Sequence, residues 1–216
     1  RKLELPLFEG FDHGIMAIDQ FDELDLRAGG HDMNSRGFYM SARFSEDTML
    51  EMGSLNPHGR FVHLFFNGTY WGQYHARERL TDAFLADYLG GKTENYTNVR
   101  GNDNAGSGFV PGTPDPVNRG PWESVRRLSG NYEEIKEWVD VEHLIDFMLM
   151  WIFGNAESEY RAAGPIQPGS GFKFWLGDAD GHIRSPGDRT SNSGPGGLFG
   201  SLVSERHPDF MTLLAD

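Results

Sequence analysis

Cysteine is absent from the 216 residues, which excludes disulfides, a thiolate nucleophile and any metal site built on sulfur. Long apolar runs are absent as well. The longest is seven residues, Phe147 to Phe153, where a membrane-spanning helix needs ~20. Positive charge is scarce: 19 Lys and Arg stand against 32 Asp and Glu, for a net charge of −13. A chain this acidic is a poor general ligand for nucleic acid. Familiar catalytic signatures are missing too. There is no G-x-x-x-x-G-K-[ST], no G-x-G-x-x-G after a strand, no H-E-x-x-H and no G-x-S-x-G. The simplest P-loop, dinucleotide, zinc-hydrolase and serine-hydrolase readings therefore drop out. No apolar leader follows Arg1, so the chain reads as a processed or excised piece of something longer, with compartment left open.

What is present describes a folded protein. Apolar residues make up 38% and aromatics 13%, too much for disorder. The 28 glycines and 11 prolines are about 18% of the chain against a usual ~12%, which predicts many turns and long surface loops. Leu3 to Phe8 and Asp22 to Arg27 read as short extended pieces, and residues 35–52 carry loosely helix-spaced apolar positions. Phe61 to Phe66, then Asn67-Gly68, then Thr69 to Tyr74 is a hairpin with a type I′ turn. Asn67-Gly68-Thr69 and Asn95-Tyr96-Thr97 are also glycosylation sequons, though the turn explains Asn67 better. Thr81 caps a helix that Gly90-Gly91 ends. Residues 95–121 form a long Gly- and Asn-bearing loop, of the kind that is usually functional or mobile.

Helices follow at Pro121–Leu128, after Asn131, and from an Asp140 cap to Phe153, the last apolar on nearly every face. Phe172 to Leu176 is a strand, residues 185–200 are a Gly/Ser/Pro-rich loop, and a helix from His207 to Leu214 closes the chain. A sheet-rich half, a long loop and a helix-rich half make an α+β protein with two lobes and a cleft. Asp178-x-Asp180 follows the strand, and hard oxygen ligands there suit Mg²⁺ beside a phosphate; a solvated Asp turn is the alternative. The full calcium-loop pattern fails at Ile183 and Arg189. Glu78 sits between Arg77 and Arg79, either in an exposed ion-pair cluster or as the anchor of a phosphate-binding cation.

The stretch Phe61 to Glu78, with Asn67-Gly68-x-Tyr70-x-Gly72-x-Tyr74 and then Glu78, resembles the signature hairpin of the CotH kinase family. The likeness continues in Phe84 to Gly91, Trp138 to Phe147, Gly154-Asn155, Trp175 to Asp180 and His207 to Phe210. The resemblance implies a two-lobed atypical protein-kinase fold, with a sheet-bearing part over residues 1–110, truncated upstream, and a helix-rich part over 111–216. It implies Mg²⁺- or Mn²⁺-dependent transfer of the ATP γ-phosphoryl group to Ser or Thr of a protein substrate. By position, Glu78 corresponds to the glutamate that pairs with the nucleotide-binding cation, Arg100 to that cation, Glu157 to the catalytic base, and Asp178 with Asp180 to the metal site. An ion pair of Glu78 with Arg100 is expected to line the phosphates.

Three positions depart from the family pattern: Arg100 for Lys, Glu157 for Asp, and the segment to Arg161, which lacks the metal-supporting Asn. Glu157 reaches one methylene further, and Arg is a planar fork rather than a point charge. These departures carry a second expectation, a pseudokinase acting as a coat or cell-surface interaction module, in keeping with the extracellular, surface or spore-coat setting of the family. A carbohydrate-associated module is a third, suggested by five Trp and seven Tyr among acidic loops.

Overall fold

The computed structural model describes residues 2–30, 33, 39–100, 120–128, 130–154, 160–169, 171–176, 179–183 and 194–216, with the backbone alone at Arg100. Its first part holds short strands β1 (Leu3–Glu4), β2 (Gln20–Phe21) and β3 (Leu24–Arg27), then helix α1 (Ser41–Glu51). The hairpin of β4 (Gly59–Phe66) and β5 (Thr69–Glu78) leads to helix α2 (Asp82–Leu89) and strand β6 (Tyr96–Arg100). Helices α3 (Gly120–Arg127), α4 (Tyr132–Ile135) and α5 (Val141–Phe153) follow, then β7 (Tyr160–Pro165), β8 (Lys173–Leu176), α6 (Leu198–Glu205) and α7 (Pro208–Ala215). Three small antiparallel sheets result, ordered β1-β2, β3-β5-β4 and β6-β7-β8. The chain is α+β.

Local chemistry accounts for most boundaries. Asn67 and Gly68 adopt φ of 49° and 79°, the two positive angles a type I′ turn demands. Thr81 Oγ1 accepts the Phe84 amide at 3.3 Å, and Gly90 with φ 84° ends α2. Asp140 caps α5 through the His143 amide at 3.0 Å. Helix α5 then buries Leu144, Phe147, Met148 and Trp151 against Trp122, Phe174 and the closing helices, and this is the main core. A smaller cluster of Leu55, Phe84, Leu85, Ala163 and Trp175 joins α2 to the β6-β7-β8 sheet.

Two expected loops are partly regular. Residues 96–100 form β6, because their partner is β7, some sixty residues on and invisible to local composition. Strand β7 is poor in β-formers and exists through packing: Ala162 and Ala163 are fully buried, and a Cβ on Gly164 would lie 2.7 Å from Phe172. The end of the 185–200 loop is α6, which starts after Gly197 at φ 80°. The rest of both loops, 101–119 and 184–193, lies outside the described residues.

Candidate functional site

Strand alternation splits the Arg77-Glu78-Arg79 triplet. Glu78, only 2% exposed, takes the His58 amide (2.8 Å) and His58 Nδ1 (3.0 Å) on Oε2, and the Tyr88 hydroxyl (2.7 Å) on Oε1. His58 Nε2 in turn points at the Ile15 and Asp12 carbonyls, at 2.6 and 3.2 Å. Both ring nitrogens therefore face acceptors, which fits an imidazolium. Burial works against that charge, but the Glu78 carboxylate outweighs it and holds the His58 pKa above its ordinary value. Glu78 is thus no part of an exposed cluster. It is an anchored carboxylate that fastens residues 12–18, β5 and α2 to one another.

Arg77 faces the other way, onto Glu46 of α1 and, at 3.6 Å, Asp25. Arg43 reaches the same Glu46 at 3.1 Å and Asp47 at 2.6 Å. Burial pushes the Glu46 pKa up, yet the two guanidiniums more than offset it and keep the carboxyl ionised below its usual range. His75 beside them stays neutral, its pKa lowered to about 4 by burial. Arg79 is exposed and pairs with Glu23 at 2.6 Å, an interaction of little energetic weight.

Asp180 lies in a 3₁₀ turn, Ala179–Gly181, after β8, and is 3% exposed. Its Oδ2 is 3.2 Å from Nη2 of Arg27, the last residue of β3. The pair joins residues 153 positions apart. Gly30 makes room for it, since a Cβ there would stand 2.3 Å from Asp180 Oδ2. Two residues further on, buried His182 places Nδ1 2.7 Å from Ser45 Oγ, while Ser41 Oγ donates to its carbonyl at 2.9 Å. Ser45 itself donates to the Ser41 carbonyl, so the His182 ring carries its proton on Nδ1 and gives it to Ser45. Burial lowers the His182 pKa to about 4. A Cβ on Gly154 would meet that ring at 2.5 Å, so the end of α5, the Asp180 turn and α1 are locked together.

A narrow cleft, with a cavity volume of about 30 Å³, lies between the β3-β5-β4 and β6-β7-β8 sheets. Its walls include Glu46, Arg77 and Glu78 on one side, and Arg161, Phe174 and Leu176 on the other. Asn56 lines it with a buried amide nitrogen that has no hydrogen-bond partner among the described residues. Such a donor calls for a ligand or water acceptor.

Of the residues singled out from sequence, the structure places Glu78 and Arg161 at the cleft. Asp180 does not line it; its turn packs against α1, which lines the cleft with Ser45 and Glu46. Arg100 ends β6 opposite Arg161 in register. Glu157, Asp178 and the Arg100 side chain lie outside the described residues. Sequence reasoning missed Arg27, Gly30, His58 and His182. The one available signal was a base followed by Gly29-Gly30 directly after an expected strand.

Fold and site together define an α+β protein whose small antiparallel sheets flank a narrow cleft, with an acid from one half seated on a cation from the other. The family model described as CotH kinase protein matches residues 7–156, more than half of the 216, and the chain belongs to that family. No curated protein matches it. The matched span contains Glu78 and Arg100, while Glu157, Asp178 and Asp180 follow its end.

Proposed function

We propose that the chain is the kinase-like domain of a CotH-type phosphotransferase, binding ATP with Mg²⁺ or Mn²⁺ between two lobes, residues 1–110 and 111–216. The observation that supports this best is the Arg27–Asp180 contact at 3.2 Å. Phosphoryl transfer is mostly positioning and charge neutralisation, and here a cation on the N-terminal sheet meets the carboxylate of the Asp178-x-Asp180 segment. The all-oxygen donor set fits a hard divalent ion, and Gly30 leaves the close approach that a Cβ would fill. Asp178 and Asp180 would hold the ion, which when bound neutralises charge on the phosphates.

Arg27 joins Arg100 as a candidate for the phosphate-binding cation. The guanidinium of Arg27 already lies on the acid that the metal would need, so it can move from Asp180 to phosphate oxygen as nucleotide enters. His58 and Tyr88 hold the Glu78 carboxylate at the β5 end of the cleft, where it would pair with Arg100 along the nucleotide phosphates. Glu157 takes the proton of the attacking Ser or Thr hydroxyl as that oxygen bonds to the γ-phosphorus and the bond to the β-phosphate oxygen breaks, releasing ADP. One observation favours a second reading. Arg27 compensates Asp180 without any metal, as in a pseudokinase kept as an interaction module.

Calorimetric titration of ATP, with and without Mg²⁺ or Mn²⁺, decides between them. Metal-dependent binding that Asp178→Asn abolishes, with little change in melting temperature, supports the kinase-like reading. Absence of binding under every condition leaves the interaction module. Phosphate incorporation into a generic Ser/Thr protein, and its gain in an Arg100→Lys, Glu157→Asp double variant, then tests transfer itself.

A further inference from the structure

The β4–β5 hairpin has a feature that the cleft does not use. Between Arg60 and Arg77 no Asp, Glu, Lys or Arg occurs, in a chain that is 24% charged. Strand β3 pairs with β5 only at residues 75–78. Among the described residues, the hairpin continues beyond that point as two strands, roughly 20 Å to its turn at ~3.4 Å per residue. At the tip four large aromatics face solvent: Phe65 (62% exposed), Phe66 (63%), Tyr70 (52%) and Trp71 (61%).

They occupy both faces. Phe65 and Tyr70 are in contact, centroids 5.2 Å apart, on one face; Phe66 and Trp71, at 6.4 Å, are on the other. The doubling follows from a register shift between Leu64 and Phe65, where β5 carries an extra residue. A protein groove covers one face of a ribbon, and a polysaccharide stacks on coplanar rings. Here the paired rings are inclined by 51° and 56°. A two-sided, uncharged tip with Phe beside the amphipathic rings of Tyr and Trp suits immersion in a continuous medium, the interfacial layer of a bilayer.

We infer that the hairpin tip inserts reversibly into the headgroup region of a zwitterionic membrane, as a peripheral contact rather than a span. Among the described residues no helix is long and apolar enough to cross one. The charge balance sets the lipid. A protein of net charge −13 is repelled by anionic headgroups, and the tip offers no cation to offset that. Binding therefore rests on apolar burial and changes little with salt.

The test is flotation of the whole chain with phosphatidylcholine vesicles, alone and with phosphatidylserine added. Two variants, Phe66→Ser/Trp71→Ser and Phe65→Ser/Tyr70→Ser, each remove one face. The rings lost are exposed, so the fold is checked by an unchanged melting curve. The wild-type chain should float with phosphatidylcholine and less with phosphatidylserine, and each variant should bind about tenfold more weakly. Trp71 should also shift its emission to the blue on binding. The inference falls if the wild-type chain does not float, if anionic lipid strengthens binding, or if either variant binds as well as wild type. It falls equally if the tip aromatics instead govern retention on insoluble polysaccharide, or concentration-dependent dimerisation through the open edge of β4. None of these outcomes depends on nucleotide binding.

Discussion

At the scale of single residues, small atoms and compensated charges set the site. Gly30→Ala would place a methyl group 2.3 Å from Asp180 Oδ2, so the carboxylate must swing off Arg27. The displaced atom is the end of a side chain, and the melting temperature should stay within about 2 °C. Metal-dependent ATP affinity should fall on the order of tenfold, read by the same calorimetry. Glu46→Ala has the opposite profile. It takes from Arg43 and Arg77 the buried carboxylate they share and leaves them only the more exposed Asp47 and Asp25, which costs about 3 kcal/mol and should lower the melting temperature by roughly 10 °C. His58 gives a signed pH effect. Its folded pKa is raised, so its contribution is complete below about pH 6.5 and is lost as pH rises through the folded value. The urea midpoint of the wild-type chain should decline on that alkaline side, and His58→Gln should flatten the decline.

At the scale of elements, turns and caps were the most legible part of the fold. The hairpin, the Thr81 and Asp140 caps and the Gly90 stop are each decided by residues within four positions of one another, so local chemistry suffices. Gly68→Val tests the strongest of them. A β-branched residue at φ 79° should cost about 1–2 kcal/mol. Because the tip projects beyond β3, faster amide exchange in residues 63–72 should exceed any change in global melting. Strand β7 and helix α6 were not legible, for a shared reason. Tyr160–Pro165 becomes a strand only because β6 and β8 flank it, and Leu198–Glu205 becomes a helix because Leu198 and Leu202 have a core to enter. Pairing partners far along the chain leave no mark on a short window.

At the scale of the whole molecule, three histidines among the described residues are buried and neutral. His75, His143 and His182 each have the pKa lowered to about 4, first through burial. Between about pH 6.5 and 4 the unfolded chain binds protons that the folded one refuses, so stability falls as pH falls across that window. Acidification should therefore lower the urea midpoint steeply below pH 6.5, by about 3 kcal/mol of stability for each ring. A flat profile from pH 6.5 to 4.5 would contradict the burial of these rings. The sign is opposite to that of His58, so stability should peak near neutrality.

The amino-acid sequence by itself determined the α+β class, the hairpin and its turn, the helix caps, and the family, through the Asn67-Gly68-x-Tyr70-x-Gly72-x-Tyr74 pattern ending at Glu78. These depend on backbone angles and on neighbours three or four residues away, which a linear reading can supply. Tertiary structure decided what the charges do. Glu78 lies between two arginines in sequence, yet strand alternation turns it inward to His58 and Tyr88, while Arg77 goes to Glu46 on the other side. Asp180 meets Arg27 across 153 positions, and no spacing rule links an arginine at the end of one short strand to an acid after another. Electrostatic partnership falls off with distance in space, and only the folded chain sets that distance.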